Sequence, residues 1–205
     1  MAELGKIEKP SAEEFAGKRK LYCVPNIIPF EDAPDEYKSL VNAYWDEIDQ
    51  QLKKLEVAGK IKKIFCESIF VQGEEALDAL SRLNERALRI VQTKIREGAV
   101  FAPIEAEEIF GPFLDWAHCL NVVRTKEVFE TVMQSYKELE RKRLRHMQDA
   151  INDALTAHEA GLLIMRDEDR IRLELAGDIE LFLVTPPTYD DIHRWVKGKM
   201  REASV

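Results

Sequence analysis

Two kinds of apolar run alternate along this chain. Residues 20–28 carry Leu21, Tyr22, Cys23, Val24, Ile27 and Ile28 almost without interruption, the pattern of a strand covered on both faces. Pro25 within it predicts an early end or bend. The spacing then changes to helical. Tyr37, Leu40, Val41, Tyr44, Trp45, Ile48, Leu52 and Leu55 form one stripe behind a start at Asp32–Glu36, with Pro34 in the first turn. A second strand is predicted over 62–71, centred on Ile64, Phe65 and Cys66. A second helix is predicted from Gly73 to Gly98, with Ala76, Leu77, Leu80, Leu83, Ala87, Val91 and Ile95 on its stripe. A short third strand is predicted over 99–104. Strand–helix–strand–helix–strand is the order of a parallel sheet with right-handed crossovers.

From Glu105 the pattern is helical. Ile109, Phe110, Phe113, Leu114, Ala117 and Leu120 make an aromatic-rich stripe, with Gly111-Pro112 expected to kink or restart the helix. A long helix follows over 126–157, its stripe running from Val128 to Leu155. The densest strand signal comes last. Residues 161–165 read as a fourth strand and Asp167-Glu168-Asp169 as a turn. Residues 171–175 read as a hairpin partner or an irregular return, and 179–184 as the final strand. Pro186-Pro187 stops it, and a closing helix carries Ile192, Trp195 and Val196. The expected fold is α/β: a mostly parallel sheet of about five strands with helices on both faces. Residues 19–205 form one domain with a helical insertion at 105–158, and residues 1–18 are a loose polar arm.

Composition narrows this little. Hydrophobic residues are 45% and charged residues 33%, as in a soluble globular protein. The net charge of −8 argues against wide nucleic-acid contact, which needs a basic surface. Cys23, Cys66 and Cys119 stand far apart with no CxxC pair, so buried free thiols are expected rather than a disulfide framework. No apolar run approaches the ~18 residues of a membrane span. The first residues lack the apolar core of a signal peptide, and a cytoplasmic protein is expected.

Two constellations can carry chemistry. The first is KELERKRLRH at 137–146. At about 100° per residue, Arg143 falls between Leu139 and Tyr136, and Glu140 between Met147 and Ile151, both on the apolar stripe. A charge facing a core must be paired. Glu140 and Arg143 are therefore expected to meet each other or opposite charges from the sheet, or to form a small-anion site rimmed by Lys142, Arg145 and His146, unless the helix leaves the core here. The second is a set of acids at strand ends: Glu67, Glu105, Asp167 and Asp169, with Glu31 and Asp32 after the first strand. Ligands of open α/β sheets bind at the carboxyl ends of the strands, and carboxylates suit magnesium or another divalent cation; Glu67, Asp167 and Asp169 are the candidate ligands. These acids also read as ordinary helix caps. His118, in an apolar helix beside Cys119, is expected to pack. No HExxH, GxSxG, P-loop or GxGxxG motif is present.

The run from the charged helix, ERKRLRHMQDAINDALTAHEAG, through the strand LLIMRD to the strand DIELFLVTPP resembles the end of the TraB/Tiki-type α/β superfamily, which includes ChaN-like and erythromycin-esterase-like members. In that superfamily the strand after the long helix ends in Gly-x-x-His, an earlier strand also ends in histidine, and acids complete a site for metal-dependent hydrolysis. Here the first of these places reads Met165-Arg166-Asp167-Glu168-Asp169, and LYCVPNIIPF has no histidine either. The resemblance implies the fold, carries over no catalytic histidine, and matches only Glu67 to a family acid.

Three readings follow. The first is a non-catalytic binding protein with a small-anion site at Glu140, Arg143, Arg145 and His146, able to form a homo-oligomer through the aromatic helix at 109–120. The second is a metal-dependent hydrolase or phosphotransfer enzyme using Glu67, Glu105, Asp167 and Asp169. A nucleic-acid role resting on residues 137–146 is the third.

Overall fold

In the computed structural model, residues 18–30 and 32–203 are described. The arm expected over 1–18, apart from Lys18, and the acid Glu31 lie outside the described residues. β1 (Arg19–Pro25), β2 (Ile61–Cys66), β3 (Val100–Phe101), β4 (Ala160–Met165) and β5 (Ile179–Leu183) form one sheet in the order β3-β2-β4-β1-β5. Every pairing is parallel. β4 is buried along its whole length, as its unbroken apolar run requires of a central parallel strand. Leu163 lies opposite both Cys23 and Phe65. Gly161 is fixed by closeness: a Cβ there would stand 2.8 Å from Phe65 Cε2 and 3.0 Å from Leu21 Cδ1.

Helices cover both faces. On one, Tyr22, Val24, Ile64, Cys66, Leu162 and Ile164 pack with α1 (Asp35–Leu55), α2 (Gly73–Leu83), α3 (Glu85–Arg96) and α7 (Pro187–Ala203). α1 places Asp35 and Glu36 in its first turn and Lys53 and Lys54 in its last, charges that complement the helix dipole. On the other face, Leu21, Cys23, Phe65, Leu163 and Met165 meet Leu144, Met147 and Ile151 of α5 (Lys126–Ala154) and Leu155, its C-cap. Only the second half of α5 lies on the sheet. Its first half packs along α4 (Glu107–Val122). Among the described residues no helix is long and apolar enough to cross a membrane.

Four local expectations are corrected. The helix predicted from Gly73 to Gly98 is two, because Asn84 leaves helical geometry and its side-chain oxygen accepts from Ala87 N as the N-cap of α3. α4 runs through Pro112 without restarting. Asp167-Glu168-Asp169 is not a plain turn: it forms a one-turn helix, α6 (Asp167–Arg170), while 171–175 takes the irregular return, one of the two courses expected for it. Finally, His118 is exposed and Cys119 half-buried, while Cys23 and Cys66 are buried. α4 turns its buried side, Ile109, Phe110 and Phe113, inward one turn earlier.

Candidate functional site at the strand ends

The parallel sheet points its carboxyl ends one way, and the chain turns there through Asn26, Glu67-Ser68, Glu105 and Arg166–Asp169. Glu67, Glu105, Arg166 and Asp169 are drawn together at these strand ends, and a fifth charged residue, Arg143, reaches them from α5. Arg143 is 1% exposed, as its place on the apolar stripe requires. It donates Nε to both Glu105 oxygens at 3.1 and 3.0 Å and Nη2 to Glu105 Oε1 at 2.5 Å. Nη1 reaches Asp169 Oδ2 at 3.0 Å. Its guanidinium carbon lies 4.9 Å from the Phe113 ring centre and 5.3 Å from that of Phe110, within cation–π range. Burial opposes the charge of Arg143, but the Glu105 and Asp169 carboxylates outweigh it and hold its pKa above the ordinary value. A bidentate, aromatic-covered guanidinium of this kind is a fixed structural joint.

From this joint two arms run to a pocket. Glu105 Oε1 accepts from Ser68 N at 2.9 Å, which holds the turn where Ser68 takes a left-handed φ of 66°. Left-handed backbone in a non-glycine residue is costly and needs such support. Asp169 Oδ2 accepts from Arg166 Nη2 at 3.2 Å, and Arg166 Nε in turn reaches Glu67 Oε2 at 3.4 Å. The other Glu67 oxygen accepts from Asn26 Nδ2 at 2.9 Å, and Asn26 Oδ1 accepts from Asn84 Nδ2 at 2.9 Å. Every buried side-chain nitrogen and oxygen among the described residues is partnered, as a polar network in a low-dielectric interior must be. Glu67 is 4% exposed. Burial pushes its carboxyl above the usual range, and the Asn26 amide and the Arg166 guanidinium offset that only in part.

The pocket measures about 230 Å³ and opens between these polar groups and an apolar wall that includes Leu80, Leu83, Phe110, Phe113 and Ile164. Asn26, Glu67, Ser68, Asn84 and Arg166 supply its polar side. A larger concavity of about 540 Å³ lies along α5, lined by Arg141, Arg145, Arg172, Glu138 and Glu174. It is an open groove of alternating charge. The strand-end pocket has the apolar walls and convergent polar groups of a ligand site, and it holds the buried acid.

The sequence candidates are distributed as follows. Glu67, Glu105, Arg143 and Asp169 belong to one network. Glu140 does not meet Arg143: it is half-buried and pairs with Arg172 at 2.7 Å. Arg145 is exposed in the outer groove and His146 is half-buried on α5, so neither rims Arg143. Asp167 turns away to accept from Arg170 Nε at 2.7 Å and from the Tyr189 hydroxyl. Burial first, and then Asp167, push the Tyr189 phenol above its ordinary value. The grouping proposed for a divalent cation, Glu67 with Asp167 and Asp169, therefore does not form, because guanidiniums stand where a cation would. Among the described residues no three His, Cys, Asp or Glu side chains are placed to hold a metal ion. Phe110 and Phe113 are buried against Arg143, and Phe113 stacks on Tyr136 at 5.1 Å, so these rings are not an open oligomer surface.

Arg166, Asn26, Asn84 and Ser68 were not among the sequence candidates. Asn84 offered a signal, since it interrupts the apolar stripe directly after Leu83. Arg166 was visible only as the residue standing where the resemblance places a histidine. Comparison with family models, with curated proteins and with solved structures finds no match for this chain.

Proposed function

We propose that this chain is a small-molecule binding protein whose site is the strand-end pocket. One observation carries this: an almost fully buried Glu67, held by Asn26 and Arg166, faces an apolar cavity at the carboxyl edge of a parallel sheet. The expected anion-binding group shifts accordingly. Arg143 is consumed by Glu105 and Asp169 and acts as a positioning residue. Arg166, with its side chain 55% exposed, is the guanidinium that a ligand can reach. The three free cysteines fit the reducing, cytoplasmic compartment expected for this chain.

The test is a thermal-shift and ligand-observed NMR screen of small polar-headed fragments. It compares the native chain with Leu83→Trp, a substitution at a partly exposed wall residue. Fragments that stabilise the native chain and lose their effect in Leu83→Trp support the pocket. Equal effects in both would place binding elsewhere.

Glu67 also favours a second reading, acid–base chemistry in the same pocket, because burial holds its carboxyl above the usual range. That reading requires Glu67→Gln to abolish turnover of a bound compound while leaving its binding intact.

A further inference from the structure

The polar side of the pocket has an unusual charge arrangement, and it narrows the ligand. Glu67, Glu105 and Asp169 outnumber Arg143 and Arg166 by one carboxylate. Glu105 is saturated by Arg143 and Ser68 N, and Asp169 is shared by two guanidiniums. The surplus falls on Glu67, whose only salt bridge among the described residues is to Arg166 at 3.4 Å, a long contact for a charge-assisted hydrogen bond. Glu67 accepts from the Asn26 amide and the Arg166 guanidinium, and the Arg166 backbone N–H also faces its carboxylate, which leaves part of the about four acceptor sites of a carboxylate unused. On the other side of that contact, Arg166 Nη1 donates to none of the described residues, and the Ser68 hydroxyl likewise makes no hydrogen bond among them. Glu67, Ser68 and Arg166 all line the pocket, so unused acceptor and donor capacity belongs to residues of one cavity.

The walls set the rest. The cavity of about 230 Å³ falls below the ~300–1,000 Å³ of pockets that enclose drug-sized ligands, which excludes nucleotides and sugars of several rings. Its remaining lining is aliphatic and aromatic, from Leu80, Leu83, Phe110, Phe113 and Ile164. A ligand that fits must have a small apolar body and a head carrying a positive and a negative group on one carbon.

We infer that the pocket takes a free α-amino acid with an apolar side chain. The ammonium sits on Glu67, the carboxylate on Arg166 and Ser68, and the side chain against Leu80, Leu83 and the Phe110–Phe113 wall. The two charged groups of an α-amino acid share one carbon and stand next to each other, as Glu67 and Arg166 do. An ammonium alone would answer the surplus carboxylate and leave Arg166 unused. A carboxylate alone would add a fourth acid to a cluster that already has one too many. The Arg143 joint fixes the carboxylate side of this head group from two directions, through Glu105 to the Ser68 turn and through Asp169 to Arg166.

The inference rests on the pocket reading above, and the experiment separates the two. Isothermal titration and ligand-observed NMR are run with L-leucine, with 4-methylpentanoate (no amine) and with 3-methylbutylamine (no carboxylate). L-Leucine is expected to bind at least about tenfold tighter than either analogue, since each loses a charged hydrogen-bond partner. Glu67→Gln, which still accepts from Asn26, should erase the advantage over 4-methylpentanoate. Arg166→Met, at a half-exposed side chain, should erase the advantage over the amine. Leu83→Trp should weaken all three compounds. If leucine binds no tighter than an analogue while that analogue still depends on Leu83, the ligand class is wrong and the pocket stands. If leucine binds equally well to Leu83→Trp, or none of the three binds in the millimolar range, the inference is overturned. A failed fragment screen would then remove the pocket reading as well.

Discussion

Replacing Arg143 with methionine tests the central joint directly. Methionine fills much of the same volume and keeps contact with Phe110 and Phe113, so the main change is electrostatic. Glu105, with a side chain 1% exposed, would keep only the hydrogen bond from Ser68 N. Asp169 would keep Arg166 and is nearer the surface, with a side chain 12% exposed. One carboxylate is thus stranded in the interior and a second is weakened. Removing one partner of a buried ion pair costs about 3–5 kcal/mol. For a chain of this length each kcal/mol lowers Tm by roughly 2–4 °C, so the fall should be about 6–20 °C. Urea unfolding followed by tryptophan fluorescence, with buried Trp45 as one reporter, measures the loss. The double variant Arg143→Met/Glu105→Gln removes the stranded charge and should regain about 1–3 kcal/mol over the single one. A loss below about 1 kcal/mol in Arg143→Met, or a double variant no more stable than it, would refute the assignment of the pair as the joint of the site.

Other outcomes follow from the same geometry. Burial raises the Glu67 carboxyl above its unfolded value, so the folded state holds a proton that the unfolded chain has released. Stability should therefore fall as pH rises from the ordinary glutamate range toward the raised folded value. Glu67→Gln should flatten that part of a Tm-against-pH curve, and an unchanged slope would count against a perturbed Glu67. Gly161→Ala forces a Cβ to 2.8 Å from Phe65 in the central strand and should cost about 1–3 kcal/mol by overpacking, read by urea denaturation; a neutral result would mean that β4 can shift. Burial pushes the Cys23 thiol up to about 12, and Cys66 is raised for the same reason. A thiol reagent on the native protein should therefore modify Cys119 first, as mass spectrometry of early time points can show.

The strands and the parallel sheet were legible because β1 and β4 are nearly unbroken apolar runs between long amphipathic helices. Strand order was not, since apolar periodicity carries no information on which strands are neighbours. Arg143 was legible as a buried charge from helical angles alone. Its partners were not, because Glu105 and Asp169 are brought to it by the sheet from 38 and 26 residues away. Reading the strand-end acids without the guanidiniums made them look like a cation site, whereas Arg143 and Arg166 occupy the space between them. The break at Asn84 showed only as one polar residue interrupting a stripe that resumes at Ala87, too slight a signal to divide the helix.

The strand order also dictates when the sheet can form. Both neighbours of β1 are β4 and β5, and β4 is also the longer partner of β2. During vectorial synthesis the first strand leaves the ribosome with nothing to pair with until residues 160–183 appear, on the order of ten seconds later at ordinary elongation rates. Until then β2 has only the two residues of β3 beside it. The nascent chain must therefore hold its helices and its most apolar strand in an unfinished state, where exposed strand edges invite aggregation. The last fifth of the protein closes its fold, and the Asp169 that anchors Arg166 arrives in that same segment.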